Sequence, residues 1–294
     1  MVDFEVPEVD YTRYTNRQLM AIPVVVLAIA LVVLSGWYVM TGAPVNQSID
    51  FTGGTELTVR TETPRGELAD QFDPAPTSIQ SVTDQENRFI LTFKASSSGG
   101  TGLSEQAEEN LEPVDDRDVV LSFQQVSAGF GASTQQTALF GIALAFLGMS
   151  VLAFVLFRTF IPALGIVLSA FSDMVVPLAL MNLFGIELSL GTVAALLMLI
   201  GYSVDSDILL TNHILRRSGE FYESTYRAMR TGVTMTLTSL SAMAVMAIVA
   251  FVFRIDLLAS IGLVLVFGLA TDLMNTYMFN VSLLRWYKIG GVEP

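Results

Sequence analysis

Residues 188–210 read LSLGTVAALLMLIGYSVDSDILL. No charge appears before Asp205 and Asp207. An α-helix needs about 20 mostly apolar residues to cross about 30 Å of hydrocarbon. This stretch qualifies, so it is predicted to span a membrane with two carboxylates in its second half. Five more stretches pass the same test: 19–40, 136–157, 161–183, 233–253 and 257–284. The chain is therefore read as a polytopic α-helical membrane protein with six transmembrane helices. The first span is expected to be an anchor and not a secretory leader: its apolar run is too long, the residues before it are acidic, and no small-residue cleavage site follows.

Composition supports this reading. Of 294 residues 52% are hydrophobic, yet the formal net charge is −13. Position reconciles the two, because most acids precede Met20 or fall between Gly42 and Gln135. A nucleic-acid partner is excluded, since a phosphate backbone requires a basic surface. The only lysines are Lys94 and Lys288, arginine supplies the other positive charges, and aspartate is abundant. Such a surface stays hydrated where salt screens its self-repulsion, which points to a halophile. The chain has no cysteine, hence no disulfide, thiol nucleophile or cysteine metal site.

Basic residues near span ends set the orientation. Arg13 and Arg17 precede the first span, and Arg158 separates the second from the third. Arg216, Arg217, Arg227 and Arg230 lie between the fourth and fifth, and Arg285 and Lys288 follow the sixth. Six crossings put all of these on one side, leaving only Arg254 near a membrane end on the other. Both termini are thus predicted to be cytoplasmic. The expected division is a cytoplasmic segment 1–18, a first transmembrane helix 19–41, an extracytoplasmic domain 42–135, a five-helix bundle 136–284 and a cytoplasmic tail 285–294.

Within the outer domain, 55–61 alternates like a strand and 64–72 has the makings of a short helix. Residues 77–83 and 88–94 read as a strand pair, 96–102 as a Ser/Gly loop, 103–111 as a helix and 119–126 as a last strand. The order βαββαβ is that of a small ferredoxin-like α+β domain.

Carboxylates inside hydrocarbon carry the functional information, because each costs roughly 3 kcal/mol or more at mid-bilayer. Four are candidates for an intramembrane polar or ion relay: Asp173, Asp205, Asp207 and Asp272. Asp173 and Asp205 are expected to be buried. Asp207 either joins them or is solvated near the cytoplasmic headgroups. Two residues apart, Asp205 and Asp207 point to different helix faces. The fifth span carries a polar face of Arg230, Thr234, Thr238 and Ser239, for which plain helix packing is the leading reading. His213 is a lone interfacial histidine, so no metal site is expected. No phosphate loop, catalytic triad or zinc motif occurs, and neither enzyme activity nor a cofactor is expected. Gly53 and Gly54 allow a turn with φ > 0 where the chain leaves the first span.

Three segments resemble the SecF family of protein-export membrane subunits, within the SecD/SecF group of the resistance-nodulation-division superfamily. Asp50-Phe51-Thr52-Gly53-Gly54-Thr55 is similar to the family's D-F-x-G-G-T. Asp173 is placed like the acid of its His-Asp pair, with Ser172 at the His position. The stretch from Phe184 to Ser203 is similar to the family's segment ending I-G-Y-S, here Ile200-Gly201-Tyr202-Ser203, with Asn212 beyond it. The resemblance covers essentially the whole chain and implies an archaeal, halophilic member. It also implies an accessory subunit of the Sec translocase in the cytoplasmic membrane. Its partners would be SecD, the translocation channel, emerging preprotein and the surrounding lipid, with coupling to ions or protons. Departures are specific. Asp205-Ser206-Asp207 replaces N-D-T, Thr234 aligns with the family's arginine one turn after Arg230, and Asp272 stands where Gly is usual. The acid–arginine pair implied for proton-driven relatives is then not preserved. A half-size efflux or lipid transporter and a membrane-anchored extracellular sensor are the alternatives.

Overall fold

The computed structural model describes residues 11–81, 87–94, 101–115, 118–216, 220–253 and 255–290. Arg217, Arg254, most of the predicted 96–102 loop and the end of the predicted 77–83 strand lie outside the described residues, as does the side chain of Arg216. The chain forms two compact units, Gln47–Leu139 on the one hand and Met1–Asn46 with Phe140–Pro294 on the other.

The smaller unit begins with a single helical turn, α2 (Ile49–Thr52), following helix α1 (Asn16–Thr41) of the larger one. Then come β1 (Gly54–Arg60), β2 (Ser78–Ser81), β3 (Arg88–Phe93), α3 (Thr101–Asn110) and β4 (Val120–Val126). The sheet order is β2-β3-β1-β4, with every neighbour antiparallel. That is the strand order of the βαββαβ arrangement. Its first helix is reduced to a 3-10 turn at Leu68–Gln71, where an α-helix over 64–72 was expected. Pro64, Gly66 and Pro74 leave too few residues there to repay helix nucleation. Leu57 and Val59 of β1 and Leu91 and Phe93 of β3 alternate inward, with Leu57 opposite Leu91. They close a core with Leu68, Phe72, Leu103, Ala107 and Leu111.

The paired glycines do more than turn the chain. Gly53 has φ +67° and Gly54 φ +140°. A Cβ on Gly53 would sit 2.6 Å from the Ala128 Cα, and one on Gly54 would collide with the Phe93 carbonyl oxygen. A Cβ on Gly131 would in turn lie 2.6 Å from the Gly53 nitrogen. The start of β1 therefore lies directly on the first turn of the helix that follows β4, which only bare backbone permits.

Among the described residues six helices are long and apolar enough to cross a membrane; five lie wholly in the larger unit, and α4 begins in the smaller one and continues into it. They are α1, α4 (Ala128–Phe157), α5 (Phe160–Phe184), α6 (Leu190–Arg216), α7 (Phe221–Phe253) and a composite sixth. The sixth runs α8 (Asp256–Met274), a π turn (Asn275–Asn280) and α9 (Val281–Ile289). α4 starts at Ala128 where 136 was expected, and α7 at Phe221 where 233 was expected. The α7 extension is amphipathic, with an Arg227–Glu223 ion pair, so hydropathy alone does not reveal it.

α5, α6 and α8 form the interior. α1 packs on α5 through Ala30, Val175, Val176 and Ala179. α4 packs through Ala153 and Phe157 against Ile166, Ala170 and Val204. α7 meets α8 where Gly262 lies under Ala247, and a Cβ there would be 2.8 Å from the Ala247 Cβ. Small residues let membrane helices approach so closely, and van der Waals contact then holds them where hydrophobicity supplies little drive.

Candidate functional site

Three of the four predicted intramembrane acids come together. Asp173 on α5 is 1% exposed, and Asp207 on α6 and Asp272 on α8 are fully buried. The Asp173 Oδ2 accepts hydrogen bonds from the Ser203 Oγ at 2.6 Å and the Ser169 Oγ at 3.4 Å, and its Oδ1 accepts from the Asn275 amide at 2.6 Å. The Asp272 Oδ1 accepts from the Ser206 Oγ at 2.8 Å. The Thr276 hydroxyl lies between two carboxylates, 2.8 Å from the Asp207 Oδ1 and 3.3 Å from the Asp272 Oδ1. Ser169 and Asn280 lie close to Asp207 as well. The second oxygens of Asp207 and Asp272 have no hydrogen-bond partner among the described residues.

Each donor comes from a helix where a polar group is out of place in hydrocarbon, and two of them, Asn275 and Thr276, lie on the π turn. A π turn takes one more residue per revolution than an α turn. An α-helix continuing from Asp272 would return to the same face at Thr276 and at Phe279. The extra residue brings Asn280 inward instead, and Asn275, Thr276 and Asn280 are all buried. Phe279 turns outward to line a groove with Pro23 and Leu27 of α1.

Asp205 behaves differently from the expectation that it would be buried with Asp173. It is exposed on the opposite face of α6, and Asp207 is the buried member of the pair. The expected divergence of the two side chains holds, but the solvated alternative considered for Asp207 does not. Asp205 lines a cleft of about 380 Å³ with Tyr202, Asn212, His213, Gly232 and Thr236. Tyr202 donates to the Ser239 Oγ at 2.6 Å across α6 and α7. Arg230, Thr234 and Thr238 are exposed, and the two threonine hydroxyls donate to carbonyls one turn back, at Arg230 and Thr234. The His213 ring likewise bonds the Leu209 carbonyl of its own helix. Among the described residues no three His, Cys, Asp or Glu side chains are placed to hold a metal.

The sequence reading named Ser203 only as part of the family motif and missed the other donors. Ser169, Ser206, Asn275 and Thr276 are polar groups inside spans otherwise nearly pure hydrocarbon, and that rarity was the available signal. The π turn left none, because its effect is a shift of phase that hydropathy does not register.

Known proteins place this architecture. A family model for the C-terminal part of the protein-export membrane proteins SecD/SecF matches residues 106–289, and a SecD/SecF GG-motif model matches residues 38–64. The chain belongs to the SecF family. A protein-export membrane protein SecF from Haloferax volcanii is 65% identical, with 99% of each chain covered. One from Haloquadratum walsbyi is 59% identical over 99% of each chain. Both relatives come from halophilic archaea, as the acidic, lysine-poor surface led one to expect. The crystal structure of the translocon-associated membrane protein SecDF from Thermus thermophilus superposes with a TM-score of 0.73 at 20% identity. It takes in 96% of this chain but only 39% of the SecDF chain, and it supports the fold. As a SecF-family protein the chain is a multi-pass membrane protein that serves protein export as an accessory, non-enzymatic subunit. Membership in the family sets aside the efflux and sensor alternatives. The GG-motif match covers Asp50, Phe51, Gly53, Gly54 and Thr55, of which Gly53 lies against Ala128 and both Phe51 and Gly53 lie against Gly131.

Proposed function

We propose that this SecF-family subunit assists preprotein export together with a SecD-type partner, and that Asp173, Asp207 and Asp272 are where ion or proton movement is coupled to that work. The observation that carries this reading is the single Thr276 hydroxyl shared by the Asp207 and Asp272 carboxylates, beside Asp173 and Asn275. No lysine or arginine appears among the partners of these acids in the described residues. A cluster of this kind responds when a cation or proton joins it, and one elementary charge moved through the membrane potential supplies about 2.3 kcal/mol per 100 mV.

The exposed face of α6 and α7 is proposed to meet the partner. A carboxylate such as Asp205 is costly against lipid, so a second bundle covering the cleft with donors of its own would shelter it. The two bundles would then pair about a pseudo-two-fold axis. We propose further that both termini are cytoplasmic and that 42–135 lies outside, where it contacts emerging preprotein or the partner; the arginines at span ends support that orientation.

The test is pulse-labelled export of a secreted substrate in cells whose only copy carries Asp207→Asn or Asp173→Asn. Export should slow while membrane abundance is unchanged. Wild-type export in both variants would remove the cluster from the mechanism. Loss of a SecD-type chain from affinity-purified Asp205→Lys, but not from wild type, is expected at the proposed interface.

A further inference from the structure

We propose that the π turn of Asn275–Asn280 is a movable element: the extra residue travels along the sixth span and exchanges Asn280 for Phe279 at the carboxylate cluster. This rests on the cluster being functional.

Both ends of the sixth span are pinned. Upstream, Gly262 lies under Ala247, and Gly268 has Leu199 where its side chain would be. Downstream, the Arg285 guanidinium donates to the carbonyls of Tyr11 (3.2 Å) and Tyr14 (2.8 Å) and lies 5.7 Å from the centre of the Tyr222 ring. Lys288 donates to the Ile214 carbonyl at 2.7 Å. With both ends held, the extra residue of the π turn cannot be lost by unwinding, but it can move toward α9. Residues between its old and new positions then rotate by one residue while α8 and α9 stay in place.

The residues that would rotate are weakly tied to their present orientation. Asn280 is 2% exposed, yet neither its amide nitrogen nor its amide oxygen has a hydrogen-bond partner among the described residues. The Tyr277 hydroxyl is buried and equally without a partner. A buried amide left unpaired is a costly arrangement that persists where a second arrangement or a function uses it. Opposite Asn280 the wall of α5 is Gly165, and Asn280 and Leu283 share the space its missing side chain leaves: a Cβ there would be 3.0 Å from the Asn280 Oδ1 and 2.6 Å from the Leu283 Cδ2. In the structure seen, Asn280 faces Asp207 and Phe279 faces α1. After the shift Phe279 faces the cluster, Met278 takes its place toward Leu27, Asn280 turns to the side now held by Val281, and Asp207 is left in an apolar setting. Movement of the extra residue thereby changes what Asp207 can hold.

The chain lacks cysteine, so cysteine pairs report the register without interference. Leu27→Cys with Phe279→Cys should cross-link with a short bismaleimide in resting membranes. Leu27→Cys with Met278→Cys should cross-link poorly at rest and at least about fivefold better during active export, the lower end of coupling through a two-state element. A 27–278 yield that stays at the resting level would overturn the proposal. Deleting Met278 removes the extra residue and makes the span a regular α-helix, with Asn280 still facing Asp207 and both ends still clamped. Export should fall to the level of Asp207→Asn while the 27–279 cross-link persists. Wild-type export in this deletion would show that the π turn only places Asn280. Should the deletion fail to accumulate, the 27–278 pair decides. Unchanged export in Asp207→Asn would strike at the cluster's role alone, because the cross-link exchange is read without reference to export rate.

Discussion

The three inner spans and the three outer ones are almost equally apolar, yet they occupy opposite environments. Mean hydropathy is 1.8–2.1 for α5, α6 and the sixth span, and 2.1–2.8 for α1, α4 and α7. The buried share of the most apolar window is 44–61% in the inner set and 6–17% in the outer. In water the more apolar helix goes inside; lipid removes that preference, since tails solvate leucine as well as another helix does. What sorts these spans is polar content and small residues. Among the described residues every buried carboxylate and all of its side-chain donors belong to the inner set, and the outer set surrounds them.

The comparison is most sharply broken or sustained at a pair of aspartates. Asp173→Ala leaves the Asn275 amide and the Ser203 hydroxyl buried without an acceptor, and each orphaned group costs about 1–3 kcal/mol. The expected loss is about 3 kcal/mol, read as a lower denaturation midpoint of the detergent-solubilised protein. Asp205→Ala, on the exposed face of α6, should change stability of the isolated subunit by less than about 0.5 kcal/mol. Equal effects would mean that inner and outer faces do not differ as described.

Glycines give the second contrast. Gly262→Ala drives a methyl group into the Ala247 backbone, 3.0 Å from its Cα, and overpacking of this kind costs about 1–3 kcal/mol. Gly148→Ala on α4 meets nothing within 4 Å and should be neutral or gain up to about 1 kcal/mol from helix propensity. Thermal midpoints of the two variants in one detergent decide the matter. A stabilised Gly262→Ala would show that α7 does not press on α8.

Much of this was legible before any coordinates. The length test found all six spans, because hydrocarbon thickness leaves little latitude. Alternation found β1 and β3, each with one face turned to the small core, and β4, which reaches that core only at its first residue, Val120. The 3-10 turn at Leu68–Gln71 was misread as a helix, since helical spacing was weighed without the proline boundaries. The cluster was half legible: a lone carboxylate in a span announces itself, whereas its donors are serine, threonine and asparagine, which hydropathy barely penalises. Asp205 and Asp207 show the limit most plainly. Two residues apart on one helix, they must diverge, but only the packing of α5 and α8 decides which one is inside.

A last test asks whether the end of the inner set that meets the N-terminal turn is dry. Tyr11 lies ahead of the first span in the 3-10 turn Tyr11–Arg13, and its hydroxyl donates to the Tyr277 carbonyl at 3.0 Å. Burial pushes its ionisation up from 10.0 to about 12, because the phenolate would lose its water. A group whose ionisation is raised on folding contributes its full stability below the unfolded value and loses it as pH climbs through the folded one. Stability should therefore be flat in this respect up to pH 10 and fall by about 1 kcal/mol per pH unit between 10 and 12. Tyr11→Phe keeps the ring but cannot ionise, so its alkaline denaturation curve should lack that part of the slope. Identical slopes in variant and wild type would place Tyr11 in water, and the N-terminal turn would then not seal the helix ends against which Arg285 is clamped.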